Sequence, residues 1–567
     1  MHRNTLPALA AAATLLIASG APARAATTPA PAPATATPTP APAATTPAPA
    51  PAATTPAPAS AATAEAAPAR DGSHGFFGGK LPLSAPPATT TVAPGVTLTS
   101  MSLGAKDAGD FWTVHVYLPG TIDGPLNTAG TALGAKEIAD RVAGAVREKG
   151  FEPRLEEVTS PAYADRPAGT LGWIVRVGQY ATSTEAGAAL SKIRAAGFAG
   201  GTRYTAQDGT DASAPQKVHV LKVDFGRFRG TVGTDFGKAL NGTEKLTDLA
   251  AAAGAVAGIN AQWFYNSAPG GMYVKDGKLI GSATQGRGGI RITRGGRAVD
   301  VDAYTARVTL RAGRDSVEID GVNRVPGEIY NCGGVGGDQP TEKPQHDLKC
   351  TDDSELVLFT PEWGTPPAGA GAEAVLDARG RVTAVNDTRG ASVPAGGSTI
   401  QAIGDSAAWL LGHAKVGERL RVSERVEDSR GRRVALTRDT TILQVGPTLV
   451  RDGRISVNAA ADGLIREGTD QTFTYNWAVR ANPRSMIGMD GRGRLMLVVV
   501  DGRQDGYSEG LGIAQTAELM KLLGAREAMN LDGGGSSVMV TSGGGIVNRP
   551  SDATGQRSLG NVFLVRP

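Results

Sequence analysis

Leu495-Met-Leu-Val-Val-Val500 is an unbroken apolar run that ends in Asp501-Gly502-Arg503. A short run without polar alternation is the pattern of a strand buried on both faces. A helix is expected next, over Leu511–Leu523. Ala528-Met-Asn-Leu531 is a second short apolar run, and it delivers Asn530 and then Asp532-Gly-Gly-Gly-Ser-Ser537. The order strand, helix, strand places Asp501 and Asp532 at two strand ends, where two carboxylates can share one site. An Asp at a strand end also forms ordinary turns, so the pairing stays open at this point.

The residues around these ends suit anion chemistry. Gly533, Gly534 and Gly535 can take conformations closed to other residues, and consecutive N–H groups in such turns form anion-binding nests. Ser536 and Ser537 add hydroxyl donors. Arg484, in Asn482-Pro-Arg-Ser485, and Arg503 offer a bidentate grip on phosphate. Gly506-Tyr-Ser-Glu-Gly510 matches the GxSxG pattern of a nucleophile elbow. That triad needs a His after its Ser, and the last histidine is His413. HExxH and Walker A motifs are absent, which removes the main support for zinc peptidase and nucleotide hydrolase readings. No cofactor is demanded. The residue types do permit a hard cation such as Ca2+ between paired carboxylates.

Around this segment, residues 215–567 are Gly-rich and read as a sheet-dominated α+β domain. Residues 354–439 have their own strand-and-turn rhythm and read as a β-rich insert. Cys332 and Cys350 are the two cysteines of the chain. In a secreted protein they are expected to form a disulfide closing the polar loop between them. Upstream, residues 106–208 repeat one plan. A strand at Phe111–Leu118 and a helix with Ile138, Val142 and Val146 on one face are followed by a strand from Phe151. A strand at Gly172–Tyr180, a helix from Thr184 and a strand near Thr202–Thr205 complete it. This is a βαββαβ, ferredoxin-like order. Residues 26–105 are rich in Ala, Pro, Thr and Gly and are expected to be a disordered linker, with polyproline stretches of about 3.1 Å per residue. Residues 1–25 read as a secretory signal peptide, with basic residues, an apolar run and Ala23-Arg-Ala25 for cleavage. A secreted, wall-associated location follows as an expectation, without a transmembrane anchor.

The 567 residues carry 57 Lys+Arg against 54 Asp+Glu, so no global basic field argues for nucleic acid. Gly reaches 76 and Pro 36, which fits a turn-rich chain with low-complexity tracts.

Two resemblances add to this reading. The strand openings Trp112-Thr-Val-His-Val-Tyr-Leu118 and Trp173-Ile-Val-Arg-Val-Gly-Gln-Tyr180, each leading to a helix closed by a Gly turn, resemble the SPOR domain. That resemblance implies binding to peptidoglycan glycan strands stripped of their stem peptides. Met529-Asn-Leu-Asp-Gly-Gly-Gly-Ser-Ser-Val-Met-Val540, Val498-Val-Val-Asp-Gly-Arg503 and Asn482-Pro-Arg-Ser485 resemble the phosphodiester glycosidases. Val256-Ala-Gly-Ile-Asn260 with its following aromatics, and Gln444-Val-Gly-Pro-Thr-Leu449, fit the same family, with Val445 where Gly is usual. The resemblance implies hydrolysis between an anomeric carbon and a phosphodiester oxygen, in a sugar-phosphate polymer or a sugar-1-phosphodiester. It gives Asp501, Asp532, Asn530 and Arg484 catalytic roles. Asn260, Arg503, Gly533–Ser537 and Arg549, in Asn548-Arg-Pro550, become substrate contacts. Two rivals remain: a glycan-binding or wall-assembly protein without turnover, and a phosphodiesterase that cleaves the P–O bond.

Overall fold

The Leu495–Val500 run is the hub of an eight-stranded sheet, and all six of its side chains are fully buried. Leu495, Leu497 and Val499 enter one hydrophobic core, while Met496, Val498 and Val500 enter another on the opposite face. The period-two geometry of a strand sorts the run between two cores, so no polar position is left along it. Full burial of each such side chain is worth about 1.5–3 kcal/mol. The expected double burial is therefore present, but in an antiparallel sheet. Strand order is Ala88–Ala93, Val96–Leu103, Gln216–Val223, Leu495–Val500, Arg484–Asp490, Ala525–Asn530, Thr448–Arg451 and Arg454–Ile455. Every neighbouring pair in it runs antiparallel. Helix Ile513–Leu522 covers one face through Ala517, Leu519 and Met520.

The structure is a computed structural model that describes residues 75–128, 130–209, 212–265, 268–332, 347–465 and 471–567. The expected signal peptide and most of the Ala/Pro/Thr tract lie outside the described residues. So does the Cys332 side chain, and with it the expected disulfide to Cys350. Among the described residues no helix is long and apolar enough to cross a membrane.

Two expectations about organisation need correction. The linker does not run to residue 105, because Ala88–Ala93 and Val96–Leu103 form a hairpin at the edge of the eight-stranded sheet. Val96–Leu103 pairs with Gln216–Val223 over eight registers, and Val96 and Leu103 are buried there. Nor is 354–439 a self-contained insert. Its strands join Gly321–Val322 in a five-stranded sheet, but Leu420–Asp428 leaves to pair with the long strand Ala298–Ala312 of a seven-stranded sheet.

Between the hairpin and Gln216 the chain forms a small module. Its elements are strand Trp112–Val116, helix Lys136–Glu148, strands Pro153–Ser160 and Gly169–Tyr180, helix Ser183–Ala195 and strand Gly200–Tyr204. The second helix opens with a capping box, in which Thr182 accepts from the Glu185 N–H and Glu185 reaches back. Strand order is Pro153–Ser160, Gly169–Tyr180, Trp112–Val116, Gly200–Tyr204, all antiparallel. Val114, Val116, Val175 and Val177 face the helices in a core with Val142, Val146 and Ile193.

Candidate active site

Because Arg484–Asp490 runs antiparallel to both its neighbours, its first residue lies beside the last residues of the other two strands. Arg484 pairs with Val500, and Met486 pairs with Asn530. A third element, strand Ala257–Asn260 of a separate five-stranded sheet, ends against the same place. The sequence-expected residues are thus delivered to one edge, but they divide into two groups.

The first group is saturated. Asp501 is buried, and its Oδ1 accepts from Asn548 Nδ2 and the Arg549 N–H, both at 3.0 Å. Its Oδ2 accepts from the Tyr507 hydroxyl at 3.3 Å. Ser508 donates to the Asp501 carbonyl at 2.7 Å and accepts from the Lys217 N–H at 3.0 Å. The serine of the GxSxG match is therefore a fully buried structural group. The Arg549 side chain is exposed and lies over the Tyr507 ring, 5.1 Å from its centroid. Asp501 and Asp532 share no hydrogen-bond partner. Asp501 instead clamps the Asn548–Arg549 loop. Asn260 is spent as well. Its Nδ2 donates to the Asp532 carbonyl at 2.7 Å, and its Oδ1 accepts from Ser485 Oγ at 2.6 Å and the Val538 N–H at 3.2 Å.

The second group is under-satisfied. Arg484 is fully buried with no carboxylate partner. Its Nε donates to the Leu511 carbonyl at 2.8 Å and one terminal nitrogen to the Trp477 carbonyl at 2.6 Å, while the other terminal nitrogen has no partner. Its guanidinium sits 5.1 Å from the Trp477 ring centroid. Burial, and then the neighbouring Arg503 charge, pull its pKa down to about 9. Asn530 donates to the Gly446 and Leu531 carbonyls, yet its buried Oδ1 is unpaired. Ser537 Oγ is also buried and unpaired. Asp532 has its pKa raised by burial, against the opposing pull of Ser536, the Gly533 N–H, Arg557 and Arg503. Buried polar groups without partners cost free energy, and a cluster of them marks a place that a polar ligand completes.

The loop between these groups is tighter than an open anion nest. The N–H groups of Gly533, Gly534, Ser536 and Ser537 go to Asp532 Oδ1 and the carbonyls of Pro483, Gly533 and Gly534. The nest expectation is corrected accordingly. The glycines are there for close approach. A Cβ on Gly535 would lie 2.1 Å from Arg557 and 2.2 Å from Asp552, which form an ion pair at 2.7 Å. Arg503 adopts φ +59°, unusual for a side chain of its size, and both Nε and a terminal nitrogen donate to Asn482 Oδ1. Gly534 lies against it: a Cβ there would be 3.2 Å from the guanidinium.

Sequence reasoning missed Trp477, Asn482, Asn548 and the Arg557–Asp552 pair. Asn482 and Asn548 stand inside motifs already singled out, but their roles depend on distant partners. Arg287 gave no signal at all. It is fully buried over Trp263, at 5.4 Å, with none of its three guanidinium nitrogens partnered, and burial lowers its pKa to about 10. Among the described residues, no group of three or more His, Cys, Asp or Glu is placed to hold a metal ion.

Comparison with known proteins agrees with this division of the chain. A family model described as phosphodiester glycosidase matches residues 370–566, and the SPOR domain model matches residues 129–203. The chain carries a phosphodiester glycosidase domain and a SPOR domain. The glycosidase match begins inside the stretch expected to be an insert, so most of that stretch, residues 370–439, lies within the family match. N-acetylglucosamine-1-phosphodiester alpha-N-acetylglucosaminidase of Bos taurus is 33% identical over 105 residues, 18% of this chain and 19% of that protein. The Mus musculus enzyme of the same name is 31% identical over 105 residues, 18% of this chain and 20% of its own. The chain thus spans about one fifth of the length of these curated relatives. A crystal structure of a putative exported protein from Burkholderia pseudomallei is 31% identical, with a TM-score of 0.76. It covers 86% of this chain and 98% of its own, so the likeness reaches well beyond the two matched domains.

Proposed function

We propose that the chain is a phosphodiester glycosidase of the cell envelope, which hydrolyses a sugar-1-phosphodiester at the anomeric C–O bond. One observation carries the reading. Within the glycosidase domain, Arg484 is buried without an ion-pair partner on the strand next to that of Asn530, burial raises the pKa of Asp532 just beyond that strand, and the unpaired Asn530 and Ser537 atoms lie on the same strand and the loop that follows it. A phosphodiester supplies what this group lacks: negative charge for Arg484 and Arg503, and hydroxyls for Asn530 and Ser537.

The leaving group is a phosphate monoester, which departs readily, so the chemistry needs charge stabilisation more than a strong acid. Water attacks C1 as the C1–O bond breaks, and the bonding pair leaves with the phosphate. Asp532 takes the proton from water, or forms the glycosyl ester first and releases it to water. Asp501 is assigned to positioning, through the Asn548–Arg549 loop. SPOR membership and the exported relative support a location outside the cytoplasm and contact with peptidoglycan. We assign residues 106–208 to a ferredoxin-like SPOR domain, and residues 215–567, with the hairpin Ala88–Leu103 added to their sheet, to the glycosidase domain. The test is incubation of the full chain with methyl GlcNAc-1-phosphate in 18O-labelled water. Label in the released sugar supports the reading. Label in the phosphate assigns P–O cleavage instead, and binding without release assigns a glycan-binding protein.

A further inference from the structure

The SPOR domain is not free on a spacer. The sheet face opposite its helices is covered: Val158, Leu171 and Ile174 pack with Ala132 and Leu133 against Tyr475 and Val479 of the glycosidase domain. Polar contacts fix the same seam. Gln207 Nε2 donates to Glu509 Oε2 at 3.0 Å, the Ala481 N–H donates to the Gln207 carbonyl at 3.1 Å, and Gln515 Nε2 donates to the Gly209 carbonyl at 3.1 Å. The backbones approach so closely that a Cβ on Gly209 would lie 1.8 Å from the Val479 carbonyl oxygen.

Charge along this seam is unevenly matched. Arg176 of the SPOR sheet is neutralised by Asp208 at 2.6 Å and Glu156 at 2.9 Å. Arg203, on the edge strand Gly200–Tyr204, donates one bond to the Thr202 carbonyl, and its buried Nε has no partner. Arg480 lies over the Tyr475 ring at 5.9 Å, and its buried Nε is also unpartnered. Burial and the Arg203 charge together push Arg480 down to about 10. The Arg480 carbonyl accepts from Asn482 Nδ2 at 2.9 Å, and Asn482 Oδ1 holds Arg503. A line of guanidinium groups, none with an ion-pair partner among the described residues, therefore runs from Arg484 and Arg503 at the candidate active site to Arg480 and Arg203 at the domain seam, with Asp552 and Asp532 acting on Arg503 and Asp208 on Arg480 from farther off. Like charges collected in excess over the carboxylates around them repel one another, and an anion that bridges them offsets that cost.

We propose that Arg203 and Arg480 form a second phosphate subsite, built jointly by the two domains, that takes a further phosphodiester of the polymer whose scissile phosphodiester lies at Arg484 and Arg503. The inference rests on the phosphodiester reading and sharpens it: the substrate is a poly(sugar-1-phosphate), read at two phosphates.

The test compares two substrates on the full chain. One is methyl GlcNAc-1-phosphate, with one phosphodiester; the other is a tetramer of GlcNAc-1-phosphate units. Arg203→Ala and Arg480→Ala together are expected to raise KM for the tetramer tenfold or more, with kcat/KM for the methyl diester within twofold of wild type. Arg203→Lys should restore much of the loss. Titration of the tetramer into wild type and into Arg203→Gln gives a readout independent of turnover and of the double variant's folding. Equal losses on both substrates, or no loss on either, would overturn the subsite and leave the hydrolase standing. Arg203-dependent binding of the tetramer without cleavage of either substrate would keep the subsite and overturn the hydrolase. Neither binding nor cleavage would overturn both.

Discussion

Two strands that flank Arg484–Asp490 in the central sheet carry the same kinds of residue to one edge and put them to different uses. At the end of Leu495–Val500, Asp501 meets a donor for each oxygen, and the serine beside it both donates and accepts. At the end of Ala525–Asn530, Asn530, Ser537 and Arg484 keep buried atoms without partners, and Asp532 resists ionisation. A saturated polar network holds a loop in place. An unsaturated one waits for something to complete it. The contrast separates a carboxylate that shapes the site from one that faces the reaction.

The comparison can be broken first at Asp532. Asp532→Asn should lower kcat for a sugar-1-phosphodiester by about a thousandfold. It should leave the melting temperature unchanged or higher, since a neutral amide removes the cost of a buried charge. In wild type, kcat should rise as pH climbs through a value above the ordinary 3.8, because burial favours the protonated carboxyl and the reaction uses the ionised one. A flat profile from pH 4 upward would remove Asp532 from that role.

Asp501→Asn should do the reverse. Losing the charge that holds the Asn548–Arg549 loop should cost about 2–3 kcal/mol in denaturant unfolding. What activity remains should keep the wild-type pH profile.

Gly535→Ala sharpens the account of the loop between them. Its Cβ would push aside the far ends of the Arg557–Asp552 pair, costing about 1 kcal/mol and loosening Asp532. Arg557→Ala made alongside it should add little further loss.

The smallest effect concerns the SPOR seam. His115 is fully buried, and burial with Arg176, Arg203 and Arg480 nearby lowers its pKa well below 6.5. Below pH 6.5 the unfolded chain binds the extra proton, so stability falls as pH falls, by about 1 kcal/mol per pH unit. His115→Gln should flatten that slope in unfolding measured from pH 7 to pH 5.

Much of this fold is legible in the sequence where burial is decided locally. Leu495–Val500 has no polar position, so it must be buried on both sides. Helix Ile513–Leu522 and the two SPOR helices follow from apolar spacing. The hairpin Ala88–Leu103 is not legible, because its Thr-rich strand Ala88–Ala93 is mostly exposed and the hairpin is held by a partner more than a hundred residues away. The candidate site is legible as a list and not as a division of labour. Nothing at position 501 tells that Asn548, 47 residues on, will occupy its carboxylate. Arg484 and Arg503 could be named as phosphate groups from their type. Arg203 and Arg480 could not, since their meeting depends on how two domains dock.

The most direct test is a crystal of the Asp532→Asn protein soaked with GlcNAc-1-phosphate. The account predicts phosphate oxygens at Arg484 and Arg503 and sugar hydroxyls against Asn530 or Ser537, with the Asp501 cluster unchanged. Ligand bound at Asp501, or a sugar phosphate seated with no contact to Arg484, would contradict it.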